Sequence, residues 1–240
     1  MFHFTSHGSY NQCSFKNAGV SDVTLKGFRV VEGNIYCEVS GGVTVRNLLY
    51  ENIVIETAHE ICPAALWTYV LGAGNAIDGY TVRDVHILNT KCMGFLLAGT
   101  PMNSADVRTA GGWVYNVLYE DCTAIGCGSV TPRYNEWCCG FDLAEGVNVR
   151  NVHLVRCEAT GNYLDGFHIE MWPYVYNVVF DDCVANDNGL KGSEGWGFVW
   201  GSRTYPDQEV ILNNCTGHGN LGADVWNNNI GVKYDLSPTG

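Results

Sequence analysis

Asn151-Val152-His153-Leu154-Val155-Arg156-Cys157-Glu158-Ala159-Thr160-Gly161-Asn162 is followed, after two residues, by Asp165-Gly166-Phe167-His168-Ile169-Glu170. In the second segment Phe167 and Ile169 flank His168, the period-2 signature of a strand with one apolar face. The Gly161-Asn162 pair between the segments reads as a turn. The unit is therefore strand, turn, strand, and the same unit recurs along the chain.

Working outward, a pattern Val-x-(Asn/Asp)-(Val/Leu) is found at Val20–Val23, Val45–Leu48, Val82–Val85, Val114–Val117, Val149–Val152 and Val175–Val178, with a decayed copy ending at Val210. The Asn/Asp positions are 25, 37, 32, 35 and 26 residues apart. Six residues after each stand Phe28, Ile53, Thr90, Cys122, Cys157 and Cys183, with Cys215 after the decayed copy. A second element, Gly-Phe-x-(Leu/Ile), follows the later copies at Gly94, Gly140 and Gly166, with Trp200 in the last place of the copy at Gly197, and Gly222-Ala223-Asp224-Val225 closes the series. No helical period of useful length intervenes, so helices are not available for crossovers. Equivalent strands must then stack through loops, each coil burying its apolar face on the next. Such repeats predict an all-β fold, a single-stranded right-handed parallel β-helix (a solenoid) of about seven coils. It occupies residues 19–229, after an N-terminal segment or partial coil (1–18) and before a tail (230–240). The cysteine column reads as a buried ladder of small apolar side chains.

These segments resemble coils of the pectate-lyase-like right-handed parallel β-helix superfamily, and the resemblance covers roughly residues 19–229. It implies this fold and a carbohydrate-active protein outside the cell or at its surface. The superfamily holds lyases, hydrolases and epimerases, and also tailspikes and non-enzymatic surface proteins. In its mannuronan-epimerase and alginate-lyase branches an Asp and a His on one strand face work with a Tyr. By that similarity the roles would fall on Asp165, His168 and Tyr163.

Composition narrows the partners. Thirteen Lys and Arg oppose 25 Asp and Glu, for a net charge of -12. The basic residues never cluster, which argues against a nucleic-acid partner. No apolar run is long enough for a membrane span, and the first residues show no secretory leader. Gly217-His218-Gly219-Asn220-Leu221-Gly222 matches a dinucleotide fingerprint only in its glycines, because no βαβ unit surrounds it.

Stacking converts sequence into neighbours. The outward position of the Gly-Phe-x-(Leu/Ile) strand gives a column Leu96, Asp142, His168, Val199, Asp224. Two residues on, a second column runs Ala98, Ala144, Glu170, Gly201. Asp142 and His168 are thus expected to be vertical neighbours, with Glu170 on the same face and Asp165 at the preceding turn. A His among carboxylates suits proton transfer at a sugar, so His168, Asp142, Asp165 and Glu170 are the expected catalytic set. Long insertions bring Arg108, Arg133 and Arg203, which can neutralise an acidic substrate or intermediate. Tyr163, Tyr134, Trp137 and Trp172 offer faces on which sugar rings stack. No cofactor or metal is expected, although Asp142, Asp165 and Glu170 could together ligate calcium.

Two functions follow as expectations. One is an enzyme that binds an extended polysaccharide along the coil axis and cleaves or epimerises it. The other is a structural or adhesive β-helix, a surface-fibre or tailspike-like module. In that case bare coil ends would be covered by end-to-end assembly or a homo-oligomer.

Overall fold

The computed structural model describes residues 15–58, 63–101, 106–128, 138–170, 172–190, 192, 195–200, 210–227 and 233–236. Strands alternate along the chain between two sheets, and every strand pair is parallel. The first sheet holds β1 (Phe15–Ala18), β3 (Ile35–Val39), β5 (Ala64–Leu71), β7 (Met93–Thr100), β10 (Phe141–Glu145), β13 (Phe167–Ile169), β16 (Trp196–Trp200) and β18 (Ala223–Asn227), in that order. The second holds β2 (Thr24–Val31), β4 (Thr44–Glu56), β6 (Ala76–Leu88), β8 (Trp113–Glu120), β11 (Asn148–Val155), β14 (Val175–Asp181) and β17 (Val210–His218). The short strands β9 (Thr123–Ile125), β12 (Glu158–Thr160) and β15 (Val184–Asn186) continue its middle coils, and β19 (Lys233–Leu236) pairs with β17. Among the described residues one short helix, α1 (Val107–Ala110), follows β7. The chain is a parallel β-helix, and its ladder extends on both sides of residues 19–229 through β1 and β19.

The inward faces build one continuous core. Phe95, Phe141, Phe167 and Phe198 stack coil on coil with ring centroids 4.4, 4.8 and 5.0 Å apart. The glycine before each of these phenylalanines has a packing cause. A Cβ on Gly94 would lie 2.3 Å from the Gly140 carbonyl oxygen, and one on Gly166 would lie 2.6 Å from that of Gly197. Only a residue without a side chain lets the coils meet there.

The recurring Asn/Asp marks a corner. Asp22, Asn47, Asn116, Asn151 and Asn177 all have φ between 49° and 57°, left-handed backbone that Asn and Asp tolerate best. Their side chains form an outer ladder: Asn151 donates to Asn116 at 3.0 Å and Asn177 to Asn151 at 3.1 Å. In one coil the expected register is wrong. Asn47 and Asn116 align with Gly79, not with Asp84, because Leu48 pairs with Tyr80 and Tyr80 with Val117. Asp84, at φ 51°, sits at a second corner equivalent to Asn52 and Asp121. Both corners select the same residue types, so the motif fits either. The corrected interior column is Phe28, Ile53, Val85, Cys122, Cys157, Cys183, Cys215, and Thr90 leaves it. The four thiols of that ladder are buried and unpaired.

The glycine-rich Gly217–Gly222 segment ends β17 and turns into β18, with no helix after it. Among the described residues no helix is long and apolar enough to cross a membrane. The expectation of bare coil ends rests on residues 1–18 and 230–240; of these β1 and β19 join the ladders, and residues 1–14, 230–232 and 237–240 lie outside the described residues.

Candidate active site

The outward residues of the first sheet form two parallel columns. In the first, Tyr36 pairs with Trp67, Trp67 with Leu96, Leu96 with Asp142, Asp142 with His168 and His168 with Val199. In the second, Glu38 pairs with Tyr69, Tyr69 with Ala98 and Ala98 with Glu145. Coils rise by roughly 4.8 Å. An aromatic stretch and an acidic one therefore share a single face, about two coils apart.

The expected Asp142–His168 neighbours are found. Two other expected positions are corrected. A bulge at Ala144, where φ is 99°, removes that residue from the outward column and puts Glu145 there. Ala144 joins the interior instead. Asp224 is also displaced: Val225 pairs with Phe198, so Trp226 and not Asp224 continues the Asp142 column. A slip of two residues preserves which side chains face inward, so period-2 patterning cannot detect it.

His168 is the hub. Its Nδ1–H donates to Asp165 Oδ2 at 2.7 Å, and its Nε2 lies 3.3 Å from Glu170 Oε1. Asp165 is fully buried, and its other oxygen accepts the Trp196 backbone N–H at 2.9 Å. The Cys139 thiol points at the same carboxylate from 3.8 Å. Burial works against a charged ring, but the hydrogen bonds from Asp165, Cys139 and Glu170 outweigh it and hold the His168 pKa well above its ordinary value. An imidazolium fixed at both nitrogens is a poor base.

The carboxyls around it are pushed the other way. Asp142 is buried at 2% exposure, and its Oδ1 has no hydrogen-bond partner among the described residues. Burial drives its pKa up to about 7, with His168 opposing the rise and Glu170 and Asp165 adding to it. Burial likewise drives Glu145 to about 9, helped by the charges of Asp142 and Glu170 and by a hydrogen bond with Glu170. His168 and Glu170 keep 14% and 15% side-chain exposure and form the cluster's solvent edge.

The preceding turn is held by buried amides. Asn162 donates to Asn188 Oδ1 at 2.8 Å, and Asn188 donates to Asn220 Oδ1 at 2.8 Å. Asn162 Oδ1 also accepts the Cys127 backbone N–H at 3.0 Å. Tyr163 follows Asn162 and is half-buried, its backbone N–H on the Cys127 carbonyl. Trp172 lies half-buried two residues beyond Glu170. Arg108, on α1, sits over the Tyr174 ring at 5.5 Å. Arg133, Tyr134, Trp137 and Arg203 lie outside the described residues.

Sequence reasoning missed Glu145, the place of Cys139 beside Asp165, and the aromatic floor of Tyr36, Trp67 and Tyr69. Glu145 needed the bulge, which has no sequence signal. The floor was in reach, because β3 and β5 alternate like the later strands but lack their Gly-Phe signature. Cys139 Sγ, Asp165 Oδ and His168 Nδ1 lie within 4.8 Å of one another. That mixed donor set suits a borderline-soft transition metal better than calcium, which takes oxygen ligands. A shallow concavity of about 470 Å³ on the second sheet is lined by Asp22, Asn47, Gly79 and Arg83. Its polar groups are engaged elsewhere, Asn47 with Asp22 and Arg83 with Glu120 and Glu51, so it is not the reactive site.

The fold and this cluster define a parallel β-helix with an acid–imidazole site on the outer face of its first sheet. No protein-family model matches the chain, and no curated protein matches it. Among solved structures, the catalytic domain of a GH87 alpha-1,3-glucanase, determined in complex with tetrasaccharides, aligns at 10% identity with a TM-score of 0.33. The alignment covers 94% of this chain and 63% of that one, so the chain spans less than two thirds of that domain.

Proposed function

We propose that this β-helix is a carbohydrate-active enzyme that meets an extended polysaccharide outside the cell or at its surface. The polymer lies along the coil axis, over Trp67 and Tyr69, with its reacting bond at Asp142, Glu145 and Glu170. The observation that carries this reading is Asp142: a buried carboxylate with an unpaired oxygen, one coil from a charged His168. Leaving such a group without a partner costs on the order of 1–3 kcal/mol or more. Folds keep that cost where chemistry needs the group. The aromatic floor supports the same reading, since flat rings stack on the apolar faces of sugars. Trp67 keeps a buried Nε1–H with no partner among the described residues.

The test is polysaccharide breakdown by the wild type and by His168→Ala across a panel of polymers. Cleavage by the wild type that is lost in the variant supports the proposal. No binding and no cleavage of any polymer, together with end-to-end assembly in solution, would favour a structural fibre subunit instead.

A further inference from the structure

Cys139 stands two residues before β10 and Asp165 two residues before β13. Phe141 pairs with Phe167, so these are equivalent places on adjacent coils, and stacking brings the thiol to the carboxylate. His168, in the middle of β13, turns its Nδ1 to the same oxygen. Sγ lies 3.8 Å and Nδ1 2.7 Å from Asp165 Oδ2, and the three donors fall within 4.8 Å of one another. Around a tetrahedral ion with ordinary bond lengths those two pairs stand roughly 3.6 and 3.4 Å apart. The thiol is already in range, and a small side-chain rotation that parts His168 from Asp165 by about 0.7 Å completes the fit.

The surroundings are those of a ligand set rather than of a plain ion pair. A metal-binding histidine presents one ring nitrogen and places its other N–H on a carboxylate or carbonyl, and a ligating carboxylate is itself hydrogen-bonded. His168 Nε2 lies 3.3 Å from Glu170 Oε1, and Asp165 Oδ1 accepts the Trp196 backbone N–H at 2.9 Å. A plain His–Asp pair would need no thiol, yet buried Cys139 aims its Sγ at the shared oxygen. Asp142, paired with His168 on the adjacent coil, adds a buried oxygen with no partner among the described residues, and its charge acts on Cys139. His168 and Glu170 reach solvent and give an ion its way in.

We infer that Cys139, Asp165 and His168 form a binding site for one divalent transition ion of the zinc class. Sulfur and imidazole select such an ion over calcium or magnesium, which take oxygen ligands. Binding exchanges protons for the ion. The Cys139 thiol and His168 Nδ1 each release one proton to solvent, and bonds form from Sγ, Nδ1 and Asp165 Oδ2 to the ion. The ion with its ligands carries the same total charge as the three groups with their protons, so Asp142 faces the same net charge in either form. The ion ties the coil of β10 to the coil of β13.

The experiment uses the untagged full chain, stripped with a chelator. It is titrated with zinc against a chromophoric chelator, and separately with cobalt(II), whose spectrum reports its ligands. The expected result is one zinc per chain, a higher melting temperature with zinc, and a cobalt form with a near-ultraviolet thiolate band. Cys139→Ser keeps the size of the side chain and should abolish that band and weaken zinc by about a hundredfold or more. Glu170→Gln should weaken zinc by on the order of tenfold. Cys183→Ala, on the interior ladder, should change neither the band nor the affinity. Circular dichroism checks that each variant folds, and the wild-type spectrum decides by itself where Cys139→Ser does not. No zinc retained by the wild type, or several ions without a thiolate band, would overturn the inference. So would a band that Cys183→Ala removes and Cys139→Ser keeps. None of these readouts involves a polymer, so failure of the carbohydrate-active reading is a separate result.

Discussion

Replacing Asp142 with Asn keeps the shape of the side chain and removes its charge, so the variant isolates what ionising that carboxyl does to the fold. In the native protein its pKa rises from 3.8 to about 7, first through burial. Each unit corresponds to about 1.36 kcal/mol, so the ionised carboxylate costs the native state on the order of 4 kcal/mol. Between the unfolded and folded pKa values the native state binds the extra proton. Stability therefore falls as pH rises from about 4 to about 7, and the full cost is present above that. Asp142→Asn should be more stable than the wild type by about 1.6 kcal/mol at pH 5 and by about 4 kcal/mol at pH 8.5. Chemical denaturation at both pH values reads the difference, which should approach a few kcal/mol, while turnover of any substrate disappears. Glu145 titrates in both proteins, from a less raised pKa in the variant because the charge of Asp142 is gone. If wild type and variant lose the same stability between pH 5 and pH 8.5, Asp142 does not carry the proton assigned to it and the site argument fails.

Other outcomes follow from the same geometry. Turnover should describe a bell in pH, rising as Asp142 ionises near 7 and falling as Glu145 loses its proton near 9. A rate that only falls from pH 5 upward would exclude Asp142 as the base. Gly94→Ala forces a Cβ to within 2.3 Å of a backbone oxygen on the next coil, and should lower stability by at least about 2 kcal/mol in thermal or chemical melts. Phe167→Ala removes the ring stacked between Phe141 and Phe198 and should cost about 3–5 kcal/mol. The nine described cysteines are buried, and burial holds Cys127 and Cys138 at about 12. A thiol reagent at pH 8 should leave these nine unlabelled in the native protein and label them all in denaturant.

The repeat was legible in the sequence because its causes are local. Phe167 and Ile169 face inward because they alternate with His168. Asn47 and Asn151 recur because a left-handed corner favours that residue, and Gly94 and Gly166 recur because the coils meet there. Counting along the alternation was enough to make Asp142 and His168 neighbours. Local causes fail where two positions share one chemistry or where a shift leaves the pattern intact. Gly79 and Asp84 both suit a corner, and sliding Asp224 by two residues keeps its strand's faces. Only strand pairing chose between them. Glu145 reaches the site through a bulge at Ala144, and Cys139 reaches Asp165 across 26 residues of chain. The sequence by itself determined the coil and the residue types on each face. The tertiary structure decided which carboxyls are buried together around His168, because burial and proximity are properties of stacked coils that no single coil possesses.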